Sequence, residues 1–145
     1  MTVSSGRKHN YLGMILDYTK VGEIQITLFD YIKNMLSEMP PIMDGESRAP
    51  APLHIFEVNE EAVNLNETEA QFFNHYVSKL HFLFKRARPD IQTAVAFLST
   101  KVQCPDVDDY KKLAHGMRYL RETSELVLTL QADDLSKMNL IYCII

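Results

Sequence analysis

Two adjacent aspartates, Asp133 and Asp134, are the residues whose types and spacing point most directly to chemistry. Paired carboxylates at a hairpin tip can hold the two magnesium ions of a nucleotidyl transferase. Their neighbours argue against it. Gln131 stands where such polymerases carry an aromatic residue, and no third carboxylate lies on an earlier strand to complete the set. A solvated turn after a strand is the simpler account. Asp108-Asp109 fall in the first turn of a helix, where acidic side chains favour the positive end of the dipole. The histidines are His9, His54, His75, His81 and His115, and none pairs at i, i+4 with an intervening glutamate. His75 and His115 fall on polar helix faces and read as surface residues. Cys104 and Cys143 lack neighbours that would activate a thiolate, so both read as small buried hydrophobes. There is no glycine-rich phosphate loop. These patterns predict no catalytic residue, no metal site and no cofactor.

Charge distribution offers a different chemistry. The chain has 145 residues and a net charge of −4, which as a global number argues against a general nucleic-acid binder. The segment 79–121 nevertheless holds 9 basic side chains against Asp90, Asp106, Asp108 and Asp109. Lys79, His81, Lys85, Arg86 and Arg88 form one run, and Lys111, Lys112 and Arg118 a second. An ordinary solvated helix face explains any one of them. Taken together they could instead contact phosphates. Phe82 and Phe84 fit a core role better than base stacking.

Composition sets the frame for these residues. Hydrophobic residues are 46% and charged residues 23%, close to the globular average, which excludes a disordered tail or a fibre. No stretch reaches the roughly 18 unbroken apolar residues of a membrane span. The first residues, MTVSSGRKHN, lack the apolar core of a signal peptide. An intracellular, reduced chain is expected.

Tyr11–Tyr18 reads as a short strand whose glycine marks a bulge or a close backbone approach. Glu23–Thr27 alternates as a second strand, joined to the first by a turn at 19–22. Thr27 is a candidate helix N-cap, with Leu28, Tyr31, Ile32, Met35 and Leu36 at helical spacing until Pro40-Pro41. Residues 39–66 are a proline-punctuated linker. Asn66 with Glu69 opens a helix bearing Phe73, Tyr76, Val77, Leu80, Leu83, Phe84 and Ala87. Pro89 starts another, with Ile91, Ala94, Val95, Leu98 and Val102 inside. Asp106 caps a third, whose inner face is Tyr110, Leu113, Ala114, Met117 and Leu120. Its outer face is Lys111, Lys112, His115 and Arg118. Residues 125–131 alternate as a final strand, and Leu140–Ile145 is a bare apolar run. The fold class is α+β, in four segments: a β-β-α unit at 1–38, the linker at 39–66, helices at 67–123, and 124–145.

The order YLGM, FDYIKNML, RAPAP, LFKRARPDIQTAVAFLSTKV and CPDVDDYKKLAHGMRYLRET resembles the C-terminal part of the reverse transcriptase in copia-type LTR retrotransposon polyproteins. Arg88-Pro89-Asp90-Ile91 with Ala94-Val95 and Leu98-Ser99 carries the most specific match. The likeness runs from Tyr11 to Leu135. It implies a fragment: a palm edge, then thumb and connection helices, then the start of a truncated RNase H region. The catalytic aspartates of that family lie upstream of the YLGM strand. The resemblance therefore implies neither polymerase activity nor bound magnesium here, although the parent enzyme uses two magnesium ions. Tyr11, Leu12, Gly13 and Met14 match the primer-grip hairpin. Lys85, Arg86, Arg88, Lys111, Lys112 and Arg118 become backbone contacts to an RNA–DNA or DNA template–primer duplex. The remaining partners implied are the palm, finger and RNase H parts of the parent, with no membrane and no small-molecule substrate. Two rivals stay open: a retained retroelement-derived helical interaction module, and a decayed reading frame that is not expressed.

Overall fold

Leu12 and Gly13 both take positive φ, 51° and 79°. Two successive residues in that region make the mirror-image turn that matches the twist of antiparallel strands. The YLGM segment is therefore a hairpin tip rather than one bulged strand. It joins β1 (Lys8–Tyr11) to β2 (Met14–Asp17). A second turn leads into β3 (Glu23–Thr27), as the alternation predicts. The computed structural model describes residues 6–40 and 45–131. Asp133-Asp134 and Leu140–Ile145 lie outside the described residues.

α1 spans Phe29–Ser37 and follows the strand directly. Thr27 does not cap it: Thr27 pairs with Ile15 in the sheet, and Leu28 takes the cap position without a side-chain bond. α2 spans Glu67–Phe84 and opens with the expected capping box, in which Asn66 Oδ1 accepts from Glu69 N at 2.9 Å. A short 3₁₀ turn at Pro89–Ile91 runs into α3 (Gln92–Ser99). Val102 lies past the end of α3, half-buried against the core. α4 spans Val107–Glu122 and has its own capping box between Asp106 and Asp109. The chain then turns at Thr123–Leu126 and enters β4 (Leu128–Gln131), shorter than the alternation suggests.

β4 pairs antiparallel with β3, so the sheet has four strands in the order β1-β2-β3-β4. The observed class is α+β, as the element pattern implies. One core serves the whole described chain. Leu28, Ile32 and Met35 from the N-terminal unit are buried with Phe73, Leu83, Val95, Leu98, Leu113, Met117 and Leu120 from the helices. The segments 1–38 and 67–123 are thus one packed body, not two.

The proline-rich segment is also part of that body. Ile55 and Ser47 are buried. Leu65 N donates to Pro105 O and Val107 N to Val63 O, both at 3.0 Å, which ties the end of the segment to the start of α4. Residues 45–66 form a strap along α4 rather than a free linker. Among the described residues, no helix is long and apolar enough to cross a membrane.

Because Asn66 satisfies an otherwise orphaned N–H, Asn66→Ala should destabilise the protein by about 1 kcal/mol, and Asn66→Gly by only a few tenths. Denaturant unfolding of the two variants checks this ordering.

Candidate nucleic-acid interface

The hairpin tip presents apolar side chains to solvent. Tyr11 and Leu12 are 59% and 60% exposed. A leucine with φ near 51° is strained by its Cβ, by roughly 1–2 kcal/mol. Gly13 carries no such cost, and a Cβ there would meet nothing within 4 Å. The turn therefore holds an exposed apolar side chain in a conformation that asparagine or glycine would adopt more readily. Met14, at the foot of the turn, packs against the core. Of the YLGM residues, only Tyr11, Leu12 and the Gly13 backbone are open to a ligand.

The six expected phosphate contacts divide sharply by burial. Lys85 and Lys111 are exposed, and Arg86 and Arg118 are half-buried. Lys111 Nζ lies 2.7 Å from Asp108 Oδ1, an i, i+3 pair on the surface. Such a pair is screened and contributes little. Arg86 lies flat over Phe82, 3.8 Å from the ring centroid, and Phe82 stacks on Tyr31 at 5.0 Å. Its Nη1 also donates to Phe82 O at 3.3 Å, so the guanidinium is steered by its own helix. Arg118 lies against Gly45 of the strap.

Arg88 and Lys112 do not belong to the set. Arg88 is 2% exposed. Its guanidinium forks onto Asp90, with Nη2 to Oδ2 at 2.7 Å and Nε to Oδ1 at 2.9 Å. Nη1 reaches Thr123 O at 2.8 Å, and Nη2 also reaches Thr123 Oγ1 at 2.7 Å. Tyr119 donates to Asp90 Oδ2 at 2.8 Å. A guanidinium this deep is tolerated because each of its nitrogens has an acceptor. Lys112 is 6% exposed and donates to Glu57 O of the strap at 2.6 Å, with its ammonium 4.5 Å over the Phe97 ring. Helical spacing alone puts Lys112 beside Lys111 on the outer face. It is buried because the strap covers that face.

The same covering explains two further departures from expectation. His115 is not a free surface residue: its Nε2 lies 2.9 Å from Ser47 Oγ and 3.0 Å from Ala49 O. Cys104 is exposed rather than buried, because it sits in the turn between α3 and α4. Sequence reasoning missed these strap contacts because their partners lie 55 to 68 residues apart.

Titration of the Arg88 cluster follows its geometry. Partial burial pushes the Asp90 carboxyl up, but hydrogen bonds from Arg88 and Tyr119, with the Arg88 charge, outweigh it and hold it below its ordinary value. Burial and then the bond to Asp90 push the Tyr119 hydroxyl up. Among the described residues no three His, Cys, Asp or Glu side chains group so as to hold a metal ion. One pocket of about 310 Å³ lies between the strap and α4 and is lined by His54, Glu57, Val58, Asn59, Asp108 and Lys111. Comparison with protein-family models, curated proteins and solved structures returned no match.

Leu12→Asn should relieve the turn and raise stability by about 1 kcal/mol in denaturant unfolding. Arg88→Ala leaves Asp90 and Thr123 O without their partner and should lower stability by about 3 kcal/mol, with Arg88→Lys a poor substitute for the planar fork. A depressed Asp90 pKa contributes stability that is full above the unfolded carboxylate value of about 3.9 and is lost as pH falls through the folded one. The stability gap between the natural chain and Asp90→Asn should therefore be flat above about pH 5 and close in more acidic solution.

Proposed function

We propose that this chain is the template–primer-holding part of a copia-type reverse transcriptase. In this reading the hairpin tip at Tyr11–Gly13 lies against the primer strand, with the Gly13 backbone in close approach to sugar and phosphate. Lys85, Arg86, Lys111 and Arg118 then contact backbone phosphates without reading bases. Template-directed nucleotidyl transfer belongs to carboxylates elsewhere in the parent polyprotein, and this segment positions the duplex for them.

The observation that carries the reading is the exposed, strained Leu12-Gly13 turn. Strain of this kind is stored where a backbone conformation serves a contact rather than stability. The shared core of hairpin and helices adds support, because a grip works only if the tip is rigidly placed relative to the basic helices.

The test is binding of the purified chain to an RNA–DNA hybrid over a salt series. Affinity should fall steeply with salt, and the double substitution Lys85→Ala with Lys111→Ala should lower the log–log salt slope by about 2. Primer extension with magnesium should give no product above a no-protein control. Clear extension, or a duplex affinity indifferent to salt, overturns the proposal. A second reading, a protein-interaction module, draws on the exposed Tyr11, Leu12 and Leu130. Salt-insensitive self-association without duplex binding selects it.

A further inference from the structure

Three flat groups stack in a column where α1 meets the end of α2. Tyr31 of α1 lies against Phe82 of α2, with ring centroids 5.0 Å apart and planes 30° from parallel. The Arg86 guanidinium covers Phe82 at 3.8 Å from the ring centroid. Tyr31 and Phe82 pack against the core, and the Tyr31 hydroxyl donates to Lys79 O at 3.5 Å, which anchors the inner end of the column. All three members are half-buried, so part of each reaches solvent. Arg86 differs from Arg88 in what its nitrogens meet. Nη1 donates to Phe82 O, while Nε and Nη2 have no acceptor among the described residues. Glu38, whose charge reaches Tyr31, is itself paired with Lys79 at 2.6 Å. Lys85, next to Arg86 in the chain, is exposed and has no ion pair among the described residues. The column thus ends in a planar cation, held flat by a ring, with two unused donor nitrogens.

We infer that this column is a platform for an unpaired nucleobase at the end of the bound duplex. A guanidinium plane attracts the π face of any base, so stacking on it needs no particular sequence. Phe82 does not stack on the base itself; it fixes the plane of Arg86 beforehand, which lowers the ordering cost of binding. Nε and Nη2 are then left to donate to a phosphate or keto oxygen of the same nucleotide, and Lys85 supplies a second cation beside them. A base within the duplex has both faces covered by its neighbours, whereas a terminal unpaired base has a face to offer. An aromatic side chain from a protein partner would match the plane but bring no negative charge for Arg86 and Lys85, whereas a nucleotide brings ring and phosphate together. The inference rests on the duplex-holding proposal and adds that the chain grips the end of a strand as well as its backbone.

The test compares two RNA–DNA hybrids bound to the full chain at one salt concentration. One carries a single-nucleotide overhang on each end, and the other carries abasic overhangs at the same positions. Their phosphate charge is equal, so they differ only in the base. The base-bearing hybrid should bind about 5-fold tighter or more, the gain expected from one stacked base. Arg86→Lys keeps the charge but loses the plane, and should bring the two affinities together. Phe82→Leu keeps an apolar side chain but removes the ring beneath the guanidinium, and should shrink the ratio in the same direction. Equal affinities in the natural chain, or a ratio that survives both substitutions, overturn the inference while leaving the duplex-holding proposal in place. Failure of both hybrids to bind overturns the two together.

Discussion

One buried guanidinium organises the junction on which the rest of the fold depends. Arg88 follows α2, precedes the 3₁₀ turn that starts α3, and bonds the residue that caps α4. Water would solvate the charge far better than a protein interior does, so Arg88 is tolerable only while Asp90, Thr123 and Tyr119 surround it. That requirement fixes how three helices meet. It also fixes where the chain leaves α4, because Thr123 is both the helix cap and an Arg88 acceptor. The turn after Thr123 brings β4 alongside β3, which attaches the N-terminal hairpins to the helical body. Stability at one junction and placement of the hairpin tip are thereby linked.

A second constraint acts along α4. Its polar side meets the strap, where Lys112, His115 and Asp108 bond Glu57, Ser47 and Asn59. Ammonium and imidazole groups that spacing would assign to solvent are consumed by backbone and hydroxyl groups of a segment with little regular structure of its own. A loop of this length inside a compact body must place its backbone polar groups somewhere, and the side of a helix offers them partners.

Much of the architecture was legible because local rules agree with the global fold. The capping boxes at Asn66 and Asp106, the break at Pro89 and the apolar stripes of α2 and α4 each follow from residues close in sequence. The Leu12-Gly13 turn was not legible, because leucine is a poor marker for positive φ and the flanking residues read equally well as one strand. Thr27 failed as a cap for the opposite reason: a competent capping residue was already committed to a sheet ladder. Spacing places Lys85 and Lys111 on the surface, where they are, and misplaces Arg88 and Lys112, which are buried. Local spacing cannot distinguish a cation facing water from one facing a strap or a distant carboxylate.

The helical body exposes Lys85 and Lys111 and shares its core with the sheet that carries the exposed hairpin tip. Under the proposed function, these two features meet one nucleic-acid duplex together. Resonance-shift mapping of the isotope-labelled chain during titration with an RNA–DNA hybrid tests this most directly. The account predicts saturable shifts at both Tyr11–Gly13 and the Lys85 and Lys111 regions, with one shared binding curve. Shifts confined to the strap, shifts at only one of the two regions, or none at all would contradict it.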